Sequence, residues 1–200
     1  AFLLSWKGFS MNEQIQEVLA LTNRWVKRLS REKFSMLFTL IQPMLFWLIF
    51  FGNLFQRAAD VQVVQAPNYM SFLAAGVVVM TAMFSAGWAG TSFIQDMNRG
   101  VMDRYLTSPV SRGALITGSL AYQAVTTVIQ SSIVLGAGLL AGARYAGGLV
   151  GGTVVVACAV LLALIFAALS DAVALLTRQQ EALIGVSQFL MLPLTFLSSA

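Results

Sequence analysis

The chain has 200 residues, of which 58% are hydrophobic and 10% charged, whereas an ordinary soluble domain has about 25% charged residues. It contains no histidine and one cysteine, which excludes imidazole chemistry, histidine-ligated metals and an intramolecular disulfide within these residues. The formal net charge of +4 does not indicate nucleic-acid binding, because the positive residues flank apolar segments.

Residues 11–33, ahead of the first apolar segment, have the period of an amphipathic helix. Apolar side chains, among them Leu19 and Trp25, recur on one face, while Lys27 and Arg28 belong to the opposite, cationic face. The pattern predicts a cytoplasmic helix in the headgroup plane of the bilayer, with Trp25 at the interface and the cations toward phosphates. A soluble helix packed on another subunit is the alternative.

Five stretches without any charged residue follow, and each is long enough to cross a bilayer, which requires about 20 apolar residues of helix. Apolar and polar residues do not alternate along them, as they would in the strands of a membrane barrel. We therefore predict an all-α, polytopic helical membrane protein whose residues 1–200 form a single transmembrane domain. The predicted spans are 34–55, 70–94, 113–141, 148–174 and a fifth from residue 182.

Positively charged residues predict the orientation of these spans. Ten of the twelve lysines and arginines lie before the first span, between the second and third, or between the fourth and fifth. Arg57 and Arg144 alone lie on the other side. The positive-inside rule then predicts a cytoplasmic N-terminus in a multi-pass protein of the bacterial inner membrane.

The second and third spans each carry polar residues on one helical face. Their spacing is i, i+4, i+7 and i+11: Thr81, Ser85, Trp88 and Ser92 in the second span, and Ser119, Gln123, Thr126 and Gln130 in the third. Hydrogen bonds between helices are one interpretation of these faces. The other is a weakly polar substrate path, which these eight residues would line.

Ionisable residues are not expected deep within any span. Asp171 is predicted about one turn from the cytoplasmic end of the fourth span, near Arg178. Because ion-coupled pumps use buried charges, this distribution argues against coupling to protons or sodium. It favours another energy source and a lipophilic cargo.

The charged loop at 96–112, on the cytoplasmic side, is the most distinctive segment. Asp96 and Asp103 lie three residues before and four residues after Arg99, which is the spacing of helical charge pairs. We predict a short helix at 97–107, held between two spans. Such a loop is either a solvated connector or a surface that presses into the cleft of a partner.

A known family shares several of these features. The loop contains the spacing Gly100…Leu106…Pro109…Arg112, and it follows Tyr69-Met-Ser-Phe-Leu-Ala-Ala-Gly76 and Gln42-Pro43. On these residues the chain resembles, over 11–200, the permeases of ABC-2 type transporters, especially the daunorubicin-resistance-like exporters.

The resemblance implies a dimer with a second permease copy or paralogue. It also implies export of a hydrophobic drug, lipid or lipid-linked saccharide. Members of the family have six spans, so we expect one more span beyond the five. The resemblance further implies a coupling helix that docks on a separate ATP-binding subunit. Carried over by position, the coupling residues are Arg99, Gly100, Met102, Asp103, Arg104, Tyr105, Leu106, Pro109 and Arg112.

The chain itself is expected to be neither an enzyme nor a cofactor protein. It has no G-x-x-x-x-G-K-[ST] phosphate loop, so ATP and Mg²⁺ would bind to the partner subunit. A membrane anchor or scaffold whose loop recruits a soluble partner is the alternative function, and a secondary transporter is a third.

The orientation is tested by cysteine labelling after Cys158 is replaced by alanine. Single cysteines at Gln65 and Ala146 are expected to react with an impermeant thiol reagent from outside intact cells, whereas cysteines at Asn98 and Gln179 react only after lysis. This follows from the distribution of positive charge. Labelling at Asn98 in intact cells would overturn the predicted topology.

Overall fold

The computed structural model describes residues 11–31, 69–107, 112–140 and 147–197. Within these ranges the chain forms helices and no strand, which confirms the all-α prediction. The helices are α1 (Met11–Arg31), α2 (Tyr69–Gly87), α3 (Thr91–Asn98), α4 (Val101–Thr107), α5 (Arg112–Leu140), α6 (Gly148–Thr177) and α7 (Gln180–Leu197). The predicted first span at 34–55 and the pair Gln42-Pro43 lie outside the described residues.

Three stretches of the described residues are long and apolar enough to cross a membrane. They match the second, third and fourth predicted spans: Leu73–Asn98, Gly113–Leu140 and Val150–Thr177. The fifth predicted span is helical, as α7, but is not among these three. The 18 described residues of α7 begin with Gln180 and Glu181, so its apolar part is shorter than the roughly 20 residues of a span.

The core of the bundle lies between α2, α5 and α6. Small side chains dominate the α6 side of this core, where Ala159, Ala163 and Ala167 recur every four residues and are buried. Ala82 and Ala86 of α2 have the same spacing and are also buried. In lipid, where apolar burial does not drive helices together, such small residues allow close backbone approach and extensive van der Waals contact.

The outward face of α6 is apolar and exposed. Large hydrophobic side chains lie along its whole length: Val150, Val154, Leu161, Ile165, Leu169 and Leu176. In the apolar 18-residue stretch that identifies this span, only 17% is buried within the structure. The face is suited to contact with hydrocarbon or with another membrane helix.

Helix α1 packs against the bundle through half of its apolar face, which corrects the predicted surroundings of Trp25. The side chain of Trp25 is only 3% exposed. Its ring makes edge contacts with Phe93, at 5.8 Å between centroids, and with Tyr122, at 6.0 Å. Gly118 of α5 lets α1 approach, because a Cβ there would meet the Leu21 Cβ at 3.2 Å. Trp25 therefore lies in protein rather than among headgroups.

The other half of the apolar face of α1 is not covered by the described residues. Ile15 and Leu19 are 52% and 61% exposed, and Lys27 is exposed as well. The side chain of Arg28 lies outside the described residues. Contact between this half of the face and lipid remains a prediction.

Replacing Trp25 with alanine tests this packing. Removal of a buried indole is expected to lower the free energy of unfolding by about 3 kcal/mol. The measurement is thermal unfolding of the purified protein in detergent micelles. Leu19→Ala is the matched control on the exposed half of the same helix, and equal losses from the two changes would contradict the structure.

Candidate functional site

The end of the second span and the segment that follows it form two short helices, so the prediction of one helix at 97–107 is wrong. Helix α3 ends at Asn98, and α4 begins at Val101. Between them, Gly100 has a φ of 66°, a conformation that side chains with a Cβ disfavour. Its N–H donates to the Met97 carbonyl at 3.0 Å and closes the end of α3. The break is therefore a glycine helix cap.

This break also changes the predicted charge pairs. Asp96 is buried and pairs with Arg24 of α1, at 3.6 Å between Oδ1 and Nη2, rather than with Arg99. Arg99 and Asp103 lie on opposite sides of Gly100, and among the described residues they form no ion pair. The i,i+4 geometry requires a continuous helix, which Gly100 interrupts.

Arg24 joins α1 to both short helices. Its guanidinium carbon lies 5.2 Å from the centre of the Tyr105 ring in α4, while the same group reaches Asp96 in α3. A planar guanidinium suits both contacts, because it pairs with a carboxylate through its edge and stacks on an aromatic ring through its face. The segment is therefore attached to α1.

The predicted coupling residues divide between two sides of this segment. Met102 and Tyr105 turn inward and pack against the cluster that contains Trp25. The charged side chains at 99, 103 and 104 are exposed. Arg112 begins α5; its side chain, that of Leu106 and the whole of Pro109 lie outside the described residues.

The polar face predicted for the second span is not continuous. Thr81 is buried and donates to the Val77 carbonyl, and Ser85 accepts a hydrogen bond from Gln123 at 3.2 Å. The helix then breaks, and Trp88 is 43% exposed. Ser92 donates locally, to the Ala89 carbonyl. The spacing that placed all four residues on one face assumed an unbroken helix.

The polar face predicted for the third span is buried in the protein. The four residues of this face are at most 7% exposed: Ser119, Gln123, Thr126 and Gln130. Gln123 donates from Nε2 to Ser85 of α2 and to Thr127 of its own helix. The structure thus shows hydrogen bonding between helices here, and a substrate path remains a prediction.

The break in the second span is held by two serines that the sequence interpretation did not include. The Ser170 hydroxyl of α6 donates to the Gly87 carbonyl at 2.7 Å and accepts from the Gly90 N–H at 3.0 Å. The Ser187 hydroxyl of α7 donates to the same carbonyl at 2.9 Å. Gly87 and Gly90, three residues apart in a span, were the local signal for a break.

The predicted position of Asp171, about one turn from the end of the fourth span, also has to be corrected. Asp171 lies six residues before the end of α6, nearly two turns in, and is 2% exposed. The Ser119 hydroxyl faces it, yet neither carboxyl oxygen makes a hydrogen bond of ordinary geometry within the described residues. The argument against ion coupling from the absence of a buried carboxyl therefore does not hold.

No three acidic or cysteine side chains in the described part of the chain lie close enough to hold a metal ion.

Comparison with known proteins gives a family match over most of the chain. The family model described as ABC-2 type transporter matches residues 16–200. The daunorubicin resistance ABC transporter permease protein DrrB1 of Streptomyces coeruleorubidus is 28% identical over 90% of the chain and 62% of its own length. A probable doxorubicin resistance ABC transporter permease protein, DrrC of Mycobacterium tuberculosis, is 23% identical over 86% of the chain and 61% of its own length.

A third relative is a putative transport permease, ycf38, of Pyropia yezoensis. It is 33% identical over 64% of the chain and 44% of its own length. The chain thus spans between 44% and 62% of the length of these relatives. No solved structure matches it.

The role of Arg24 is tested by Arg24→Ala. The change removes the two Arg24 contacts, to Asp96 and to Tyr105, so faster amide hydrogen exchange is expected at 97–107. Asn23→Ala, at an exposed neighbouring position, is the control and should leave the exchange unchanged. Arg24→Lys keeps the charge but loses the planar fork, and an intermediate rate is expected. Unchanged exchange in Arg24→Ala would show that the segment is held by other contacts.

Proposed function

Because the chain belongs to the ABC-2 type transporter family, we propose that it is the membrane-spanning permease subunit of an ABC exporter. In this proposal a separate subunit binds and hydrolyses ATP, and the chain contributes the passage and the surface on which that subunit docks. The observation that carries the proposal is the α3–α4 segment. It is short, carries exposed charges, and is attached to α1 through both contacts of Arg24 as well as through apolar packing.

The attachment determines what a docked partner would move. Helix α4 follows α3 after a single glycine-capped turn, and α3 is the end of the second span. Arg24 ties both short helices to α1. A displacement imposed on α4 would therefore reach α1 and the second span together. A solvated connector, by contrast, would bend without transmitting the displacement.

The proposed docking surface consists of the outward side chains of this segment. Arg99, Asp103 and Arg104 are exposed and occur within six residues. Charged side chains of this kind give an interface its orientation and its discrimination between partners. The inward residues Met102 and Tyr105 would hold the surface in place rather than touch the partner.

The proposed cargo is a hydrophobic drug, a lipid or a lipid-linked saccharide, moved out of the cytoplasm. Two of the relatives are named for resistance to daunorubicin and doxorubicin, which supports the drug class. The polar groups that join α2 and α5 in the bundle, those of Ser85 and Gln123, are neutral, and so is Thr127, which Gln123 contacts within α5. A path formed when such helices separate would be weakly polar and would suit a lipophilic molecule better than an ion.

The remaining parts of the proposal concern assembly and location. A second permease copy or paralogue would complete the passage, and the exposed apolar face of α6 offers one surface for another membrane helix. The protein would lie in a bacterial inner membrane with its N-terminus in the cytoplasm. The meeting of α1 with the α3–α4 segment at one end of the bundle is consistent with the positive-inside prediction for both.

Asp103→Arg, in the full-length protein, tests the docking surface. The position is exposed, so folding and membrane insertion should survive. Binding to the ATP-hydrolysing subunit should weaken by about tenfold or more, since unfavourable charge juxtaposition at an interface costs several kcal/mol. The measurements are co-purification of the two subunits and substrate-stimulated ATP hydrolysis in reconstituted vesicles.

Arg57→Asp, which changes charge in a loop predicted on the opposite side, is the control and should behave as the unchanged protein. Full coupling in Asp103→Arg would make the segment a connector. Association with a soluble partner without any nucleotide-dependent transport would favour the anchor or scaffold function.

A further inference from the structure

At the break between α2 and α3, a serine hydroxyl from another helix makes the hydrogen bonds that backbone groups would make in a continuous helix. In a continuous helix the Gly90 N–H would donate to a carbonyl of the preceding turn. Here it donates to Ser170 Oγ, which in turn donates to the Gly87 carbonyl. The hydroxyl thus bridges two backbone groups that each lack their α-helical partner at the break. Insertion of a side chain into the hydrogen-bond ladder is a recognised cause of a helix kink.

The kink is tied to two different helices. Ser170 belongs to α6, and Ser187 of α7 donates to the same Gly87 carbonyl. Both lone pairs of that oxygen are therefore used, one by each helix. A relative shift of α6 or α7 would remove one of the two bonds and leave the other.

Close packing keeps the break against these helices. A Cβ on Gly90 would overlap the Ser170 carbonyl and lie 2.8 Å from the Ala174 Cβ. A Cβ on Gly87 would overlap the end of the Met191 side chain. Gly90 is needed for close approach to α6, because a side chain there would collide with the Ser170 backbone, whereas a side chain at Gly87 would first displace the flexible end of Met191.

We propose that Ser170 and Ser187 are positioning residues for the coupling segment: their hydroxyls set the angle between α2 and α3 and so determine where α4 lies. The coupling part of this inference rests on the proposed function, in which α4 receives the ATP-hydrolysing subunit. The geometric part does not. Helix α3 has only eight residues, so a change of direction at Gly90 is carried to α4 within two turns.

The two serines are expected to contribute unequally. Ser170→Ala removes a donor and an acceptor and frees the Gly90 N–H to rejoin the backbone ladder, which straightens the helix. Ser187→Ala removes one donor and leaves the Ser170 bridge intact. If each lost bond shifts the balance between the kinked and straightened arrangements by roughly fivefold, Ser170→Ala should have the larger effect.

The position of α4 is measured by double electron–electron resonance, which gives the distribution of distances between two spin labels. Cys158 is replaced by alanine so that only the introduced cysteines are labelled. The labels are attached at Thr107→Cys, at the end of α4, and at Leu176→Cys, on the exposed face of α6. The labelled protein is diluted with unlabelled protein and studied in lipid nanodiscs without the ATP-hydrolysing subunit. The result is therefore independent of the proposed function.

Ser170→Ala is expected to shift or broaden the distance distribution by several ångströms, and Ser187→Ala to do so less. Ser132→Ala is the matched control, because that hydroxyl is exposed and bonds only within its own helix. Ser187→Thr keeps the hydroxyl at a half-buried position and should restore the original distances. Unchanged distances in both alanine variants would overturn the inference.

The coupling part has its own measurement, which is the number of substrate molecules exported per ATP in reconstituted vesicles with unlabelled variants. Ser170→Ala should lower this ratio severalfold while thermal stability and co-purification are retained. A shifted distance with a normal ratio would overturn the positioning role in coupling. If Asp103→Arg retains coupling but Ser170→Ala moves α4, the proposed docking surface is wrong and the geometric inference stands.

Discussion

A backbone group that leaves its helix within the bundle must find another partner, because neither hydrocarbon nor packed apolar side chains can supply one. The second span changes direction where hydroxyls from α6 and α7 reach the Gly87 carbonyl. Helix α3 leaves that point with Asp96 facing Arg24, and α4 follows with Tyr105 beneath the same guanidinium. The arrangement of the charged end of the bundle therefore depends on two neutral hydrogen-bond donors inside it.

The sequence was most informative where a property is local. Long uncharged stretches predict spans because the thickness of a bilayer sets the number of apolar residues that a span needs. Three of the predicted stretches are helical in the structure and long enough to cross a membrane. The apolar face of α1 could also be predicted, from the helical period of its apolar residues. The residues that cover this face could not be predicted, because the period identifies which residues are apolar but not which parts of the protein they contact. Trp25 is thus surrounded by protein, whereas Leu19, six residues earlier, is exposed.

The errors in the candidate site have a common physical origin. The charge pairing of Arg99 with Asp103, and the polar face that included Trp88, both assumed that a helix continues through a glycine. Gly90 and Gly100 were visible local signals against this assumption. The stabilising groups were not visible, because Ser170 and Ser187 lie 83 and 100 residues from Gly87 along the chain. The burial of Asp171 depends in the same way on helices that pack around it, and no count of residues from a span end could provide it.

The contact between α1 and α5 has a consequence for biogenesis. Thr22 lies 96 residues before Gly118, its neighbour in the folded bundle. Since the chain is made from its N-terminus, the indole of Trp25 is synthesised long before the surface that buries it. An amphipathic helix can bind to the bilayer surface during that interval, with its apolar face in the headgroup region. We therefore expect the amphipathic pattern of α1 to serve two successive environments, first the lipid headgroups during translation and then the protein after α5 has inserted.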